Sequence, residues 1–169
     1  ITFPGAGVSA LACSVKSMEY ICKRFSVMII SYDKMNQLRH VRFLKDKAGV
    51  LKHMEKHRRR LVPCFDAVKT TFANELTPCG DIAHWTDPKG GYFISLYVMP
   101  GCAKRVAQLC KDCGLTLTGA GAAFPYGIDP EDSHLRIAPT YPSLSEVETA
   151  SLLLTVCVRL AVVEKLLAD

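Results

Sequence analysis

Three features are missing from this 169-residue sequence, and each absence removes a class of protein. No stretch reaches the roughly 18 consecutive apolar residues that a membrane-spanning helix needs. The longest apolar stretch, residues 152–163, is interrupted by Thr155 and Arg159. No low-complexity tract occurs, so intrinsic disorder is not expected. The net charge is only +5, and much of it lies in one run, residues 52–60, so the basic excess is local.

What is present is the composition of an ordinary globular domain. Hydrophobic residues make up 49% of the chain and charged residues 22%, which is enough to build a core. The length suits one domain, or one small domain with an appendage. The first residues, Ile1-Thr2-Phe3-Pro4-Gly5, read like the middle of a protein, so we expect the chain to be a fragment.

The eight cysteines show neither a disulfide framework nor a zinc-site spacing. They are scattered, several fall in apolar helical patterns, and no signal-peptide pattern is present. We therefore expect reduced core thiols in a cytoplasmic protein. Cys110 and Cys113 form a C-x-x-C pair, but the pair lies at a helix end and has no second ligand pair nearby, so no metal or redox site is predicted. The full set is Cys13, Cys22, Cys64, Cys79, Cys102, Cys110, Cys113 and Cys157.

Hydrophobic periodicity and turn residues predict an α/β chain whose main sheet lies in the second half. The predicted helices are residues 15–25, 33–44, 49–76, 102–113 and 143–167. The predicted strands are residues 8–12, 82–85, 92–98, 115–118 and 134–138. Pro63 should kink or restart the longest helix, and Ser143 with Glu146 matches a capping box. The last block then reads β-β-α-β-β-α, a sheet covered by helices.

Arg136 is the candidate binding residue because its strand neighbours are apolar. A buried guanidinium without an anion is costly, so either the protein or a ligand must supply one. A structural ion pair to Asp129, Glu131 or Asp132 is the alternative to a ligand role.

The basic run of residues 52–60 offers a second hypothesis, a non-catalytic regulatory or binding module that uses this helix. Runs of this kind bind nucleic acid in some proteins. Here no aromatic residue is interleaved and Glu55 sits inside the run, so a solvated helix face is the favoured interpretation and no nucleic-acid partner is predicted.

Several segments together resemble one enzyme family. The chain is similar to the C-terminal part of fold-type I aminotransferases that use pyridoxal phosphate, and within them to the aspartate-aminotransferase-like branch often labelled MocR-like. The segments that carry the resemblance are Ile1-Thr2-Phe3-Pro4-Gly5-Ala6-Gly7-Val8, residues 36–43, residues 88–96, Gly119-Ala120-Gly121-Ala122 with Phe124-Pro125-Tyr126-Gly127, and Leu135-Arg136-Ile137-Ala138-Pro139.

The resemblance implies an architecture and an activity. Residues 1–46 would be a remnant of the large cofactor-binding domain, residues 47–76 a long connecting helix, and residues 77–169 the small C-terminal α/β domain. The activity would be amino-group transfer between an amino acid and a 2-keto acid in a homodimer. The lysine that forms the Schiff base would immediately precede Ile1, so the chain alone would be inactive and would hold no catalytic residue.

The resemblance also implies residue roles. Arg136 would bind the substrate α-carboxylate. Gly7 stands where many relatives carry an arginine for the cofactor phosphate, so phosphate binding would rely on other groups. The residues expected near the cofactor are Thr2, Gly5, Gly7, Asn36, Gln37 and Arg39.

Overall fold

The computed structural model describes residues 6–168 and contains helices packed on one small sheet. The helices are α1 (Val15–Met28), α2 (Lys34–Leu44), α3 (Lys47–Glu75), α4 (Ala103–Asp112) and α5 (Leu144–Ala168). The strands are β1 (Ala83–Trp85), β2 (Ile94–Val98) and β3 (His134–Ile137), and two 3₁₀ turns span Thr77–Cys79 and Pro125–Gly127.

The sheet is antiparallel with β2 in the centre, in the order β1-β2-β3. Trp85 pairs with Leu96, and Leu96 pairs with Leu135, so one apolar row crosses all three strands. Because side chains alternate between faces, the intervening residues form a second row on the opposite face. The predicted hairpin of β1 and β2 is confirmed.

One hydrophobic core joins the apolar face of the sheet to α3, α4 and α5. Phe72 of α3 is fully buried, and its ring meets that of Trp85 edge-on at 5.4 Å between centroids. Full burial of a large apolar side chain contributes about 1.5–3 kcal/mol. The other large side chains that are fully buried in this core include Leu76, Ile94, Leu96, Leu135, Leu154 and Val158. The predicted fold class, a small α/β domain with a long helix, is confirmed.

Helix starts follow the predicted capping residues. The Ser14 hydroxyl accepts the Ser17 N–H at the start of α1, and the Asp33 carboxylate accepts the Asn36 N–H at the start of α2. At α5 the Ser143 backbone N–H donates to the Glu146 carboxylate at 2.7 Å, which is the reciprocal bond of a capping box. Each cap satisfies backbone groups that the first turn leaves without a helical partner.

The long helix α3 runs through Pro63 without restarting. A proline in a helix interior removes one backbone hydrogen bond. Here Cys64 and Val68, just beyond it, are buried in the core and hold the second half of the helix in place. Of the two predicted effects of Pro63, a kink or a restart, the restart does not occur.

Two predicted strands do not form. Residues 8–12 are irregular and exposed, and residues 115–118 are irregular and mostly half-buried. Neither segment is paired with a strand among the described residues, and apolar sequence alone cannot make a ladder without a partner. The last block is therefore β-β-α-β-α.

The chain divides into two compact units within α3, between Lys56 and His57. In the described part of the first unit, only Ala6 and Asn36 are buried, and α1 buries no residue. The second unit contains the sheet and the hydrophobic core. No helix between residues 6 and 168 is long and apolar enough to cross a membrane.

All eight cysteines are free thiols. Cys64, Cys102, Cys110 and Cys157 are buried, as predicted. The prediction of core positions is wrong for Cys13, Cys22, Cys79 and Cys113, which are exposed.

Candidate functional site

Arg136 lies on β3, opposite Ser95 of β2, on the face of the sheet away from the core. Its guanidinium carbon lies 4.6 Å from the centre of the Phe93 ring, a cation–π contact. Its Nε atom is buried and has no hydrogen-bond partner among the described residues. A buried guanidinium N–H without an acceptor is the state expected of a binding residue whose anion is not part of this chain.

The three acidic residues considered as structural partners are not paired with Arg136. The Asp129 carboxylate accepts the N–H groups of Ser133 and His134, each at 2.8 Å. Asp132 accepts the Lys104 N–H at 3.1 Å. Among residues 6–168, no carboxylate forms an ion pair with Arg136. The structural ion-pair alternative is therefore not observed.

Arg136 also lines a cavity of about 160 Å³ in the second unit. The cavity lies beside β3, and its wall is mainly apolar with a few hydroxyl groups. The lining residues are Val68, Leu115, Thr116, Leu117, Thr118, Arg136, Ile137, Ala138, Pro139, Pro142, Val147, Ala150, Ser151 and Leu154. Residues 115–118 were expected to extend the sheet, and they line this cavity instead.

The sheet face that carries Arg136 also carries an aromatic row that sequence reasoning missed. His84 and Tyr97 stack with 4.8 Å between ring centroids, and Tyr97 meets the buried His134 edge-on at 4.9 Å. Phe124, from the small-residue loop of residues 119–128, contacts the His134 ring at 5.6 Å. The alternation of residues on each strand was a usable signal, but the register that aligns them was not readable from sequence.

The residues expected near the cofactor are only partly brought together. The Asn36 amide donates to the Gly7 carbonyl at 3.1 Å, so these two meet. Gln37 and Arg39 are exposed. Thr2 and Gly5 lie outside the described residues.

The geometry at Asn36 does not suit a phosphate. Its amide nitrogen is committed to Gly7, and its Oδ1 atom is buried without a partner. An orphaned acceptor repels an anion and would accept an N–H or O–H donor instead. Asn36 and Gly7 therefore form no phosphate site by themselves.

The basic run of residues 52–60 lies on α3. Lys52, Lys56 and Arg60 are exposed, as on a solvated helix. No group of three or more His, Cys, Asp or Glu side chains within the described residues is arranged to hold a metal ion.

Comparison with known proteins identifies the family. The family model described as aspartate amino-transferase matches residues 1–169. A Mycolicibacterium smegmatis protein named as an aminotransferase is 49% identical over 169 residues, which is 100% of this chain and 39% of that protein. An aspartate aminotransferase of Corynebacterium glutamicum is 43% identical over 164 residues, 97% of this chain and 38% of its own length.

Solved structures agree with this result. An aminotransferase structure from Corynebacterium diphtheriae has a TM-score of 0.84 and 41% identity, covering 90% of this chain and 38% of that one. A more distant one, the α-aminoadipate aminotransferase of Thermus thermophilus complexed with N-(5'-phosphopyridoxyl)-L-leucine, has a TM-score of 0.70 and 15% identity, covering 88% and 36%. At that identity only the fold is shared. The chain thus spans about 39% of the length of the curated relatives it matches, and it belongs to the aspartate aminotransferase family.

Proposed function

We propose that this chain forms the substrate-carboxylate side of a pyridoxal-phosphate-dependent aminotransferase that moves an amino group between an amino acid and a 2-keto acid. The observation that carries the proposal is the Arg136 guanidinium. It is half-buried, stacked on Phe93, and without an acidic partner among the described residues. A substrate carboxylate would supply the missing anion.

A guanidinium suits this task because its planar donors match the two oxygens of a carboxylate. The resulting pair of parallel, charge-assisted hydrogen bonds fixes direction as well as position. A substrate held at its carboxylate can then keep its Cα–H bond in one orientation relative to the reacting centre, which lowers the entropic cost of reaction.

Phe93 helps to hold the Arg136 guanidinium in one orientation. The Phe93 ring covers one face of the Arg136 guanidinium, and Phe93 is itself 47% exposed. Stacking restricts the rotamers of the long arginine side chain, so less freedom is lost when substrate binds.

Pyridoxal phosphate, when bound, supplies the electron sink that makes the Cα proton removable. Family membership and the shared fold of a solved relative that carries a phosphopyridoxyl amino acid support this cofactor. The described residues offer no phosphate-binding group at Asn36 or Gly7. The lysine that binds the cofactor and the groups that bind its phosphate would therefore lie in sequence outside these 169 residues. The chain alone would then be inactive.

From the sequence resemblance we further infer that the chain belongs to the MocR-like branch and takes a C-terminal position in a longer cytoplasmic homodimer. We also infer its division into residues 1–46, 47–76 and 77–169. The exposed apolar residues of the first unit, such as Val15 and Val27, support a larger domain around it, because isolated helices rarely expose so much apolar surface.

The test is substitution of Arg136 in the protein as encoded, with whatever sequence adjoins this chain. Arg136→Ala should lower kcat/KM for amino donors by roughly 100-fold, because two charge-assisted hydrogen bonds together are worth about 3 kcal/mol. Arg136→Lys should recover only part of the loss, since an ammonium lacks the planar fork. Steady-state kinetics measure kcat/KM for each variant, and the cofactor absorbance checks that the variant is folded.

The matched control is Arg105→Ala. Arg105 also binds a carboxylate through two bonds, to Glu164 at 2.6 and 2.8 Å, but on the surface between α4 and α5. It should leave kcat/KM unchanged. Wild-type kinetics in Arg136→Ala would refute the proposed role.

A further inference from the structure

Ser95 of β2 lies directly opposite Arg136 of β3 in the sheet register. Three positions along the same ladder, the Val98 N–H donates to the Ser133 carbonyl at 2.8 Å, so those two residues form a hydrogen-bonded pair. Hydrogen-bonded and non-hydrogen-bonded pairs alternate in an antiparallel ladder. Ser95 and Arg136 therefore form a non-hydrogen-bonded pair, the kind in which Cα atoms are about 4.5 Å apart and side chains are closest.

The two side chains share the face of the sheet that lies away from the core. Buried residues flank Ser95 on both sides along β2, whereas Ser95 itself is half-buried. Arg136 is half-buried on β3. The next non-hydrogen-bonded pair on this face, Tyr97 and His134, has ring centroids 4.9 Å apart. Opposite side chains on this face thus come into contact.

The Ser95 backbone is fixed, but its hydroxyl is unused. The Thr86 N–H donates to the Ser95 carbonyl, and the Ser95 N–H donates to the Thr86 hydroxyl oxygen, both at 3.0 Å. The Ser95 hydroxyl forms no hydrogen bond within residues 6–168. A polar group without a partner therefore stands beside Arg136 on a strand that is held in place.

The Nε–H group of Arg136 lacks an acceptor that a hydroxyl can provide. The Nε atom is buried and has no partner among the described residues. A serine hydroxyl has lone pairs that accept a hydrogen bond and one proton that it can donate. Its oxygen takes one of three staggered positions about a single torsion, so it can turn toward Nε–H without movement of either strand.

We propose that Ser95 completes the carboxylate site of Arg136, an inference that rests on the proposed function. The Ser95 hydroxyl accepts the Nε–H bond and donates its own proton to one oxygen of the substrate carboxylate. The terminal N–H groups of the guanidinium bind the same carboxylate. Hydrogen bonds in such a chain polarise one another, so a hydroxyl that accepts from a cation is a better donor.

Ser95 and Phe93 then restrain different motions of the guanidinium. The Phe93 ring lies over one face of the guanidinium and restricts tilting of its plane. The hydrogen bond from Nε–H to Ser95 restricts rotation within that plane. Together they aim the terminal N–H groups at one place, which lowers the entropic cost of binding a carboxylate.

The test is Ser95→Ala in the protein as encoded, with the sequence that adjoins this chain. One hydrogen bond to a charged group is lost, so kcat/KM for the amino donor should fall roughly 10-fold. The fall should appear as a higher KM with little change in kcat, because the carboxylate is held equally in the ground state and the transition state. Ser95→Thr keeps a hydroxyl on the same carbon and should restore most of the loss.

The matched control is Ser145→Ala, which removes a serine hydroxyl from the exposed first turn of α5 and should leave KM unchanged. A second comparison introduces Ser95→Ala into Arg136→Ala. If both side chains hold the same carboxylate, Ser95→Ala should cost less than about 3-fold there, because groups that share a partner are not additive. Urea unfolding midpoints separate a loss of stability from a loss of binding.

Two results would overturn this inference while the proposed function stands. In both, Arg136→Ala loses activity as expected. In the first, Ser95→Ala keeps the wild-type KM. In the second, Ser95→Ala causes the same loss whether or not Arg136 is present. Wild-type kinetics in Arg136→Ala would instead overturn the proposed function, and this inference with it.

Discussion

At the scale of single residues, the second unit contains polar side chains that accept hydrogen bonds from backbone N–H groups in loops. Asp129 is the clearest, because its carboxylate accepts the N–H groups of Glu131, Ser133 and His134 just before β3 begins. Burial acts to raise the pKa of Asp129, but these three N–H bonds outweigh it and lower the pKa below its ordinary value. The same bonds hold the loop that leads to Arg136.

Asp129 should therefore couple stability to acidity. A carboxyl whose pKa is lower in the folded state stabilises the fold above its unfolded pKa, about 3.9, and loses that contribution as pH falls through the folded pKa. Asp129→Ala should reduce the free energy of unfolding by about 1–3 kcal/mol at neutral pH. The difference from wild type should shrink below about pH 3.9.

Urea unfolding across this pH range measures the effect. Glu131→Ala is the control, since the Glu131 side chain forms no hydrogen bond or ion pair within residues 6–168 and its removal should change the free energy of unfolding only slightly. A constant difference between Asp129→Ala and wild type down to the lowest pH would contradict the coupling.

At the scale of elements, the tightest junction is the corner between α2 and α3. Asp46 caps α3 by accepting the Gly49 N–H at 2.8 Å. A side chain at Gly49 would place its Cβ 1.7 Å from the carbonyl oxygen of Leu44, the last residue of α2. Glycine is needed here because the two backbones approach too closely for any other residue.

Gly49→Ala should consequently destabilise the corner. The clash is with backbone, which cannot move aside cheaply, so we expect a loss of about 1–3 kcal/mol in the free energy of unfolding. Gly90→Ala is the matched control, because a Cβ there meets nothing within 4 Å. Urea unfolding compares the two variants. Equal unfolding midpoints for Gly49→Ala and Gly90→Ala would contradict the predicted clash.

At the scale of the whole molecule, the two units differ in how much they bury. α5 buries eight residues, whereas α1 buries none. A helix of 14 residues that buries none of them is marginal in water by itself. If the first unit belongs to a larger domain, as proposed, its helices gain their stability from sequence outside this chain.

Hydrogen exchange should show this difference directly. In the 169-residue chain, amides of α1 should exchange quickly and those of α5 slowly, because exchange follows local opening. In the longer protein, α1 should become protected while α5 stays unchanged. An α1 that exchanges equally fast in both would contradict the proposed domain division.

The sequence by itself determined the helix starts and the family. Caps at Ser14, Asp33 and Ser143 are hydrogen bonds within a few residues, so the local order of side chains decides them. Family membership follows from motifs in a fixed order, and it needed no coordinates.

Only the tertiary structure decided which apolar segments became strands, and what lies around Arg136. Residues 115–118 have a strand-like sequence, but a strand requires a hydrogen-bonding partner from elsewhere in the chain. The absence of an acidic partner for Arg136 among the described residues likewise depends on groups far apart in sequence. Such contacts are set by the packing of the whole unit, which local patterns do not encode.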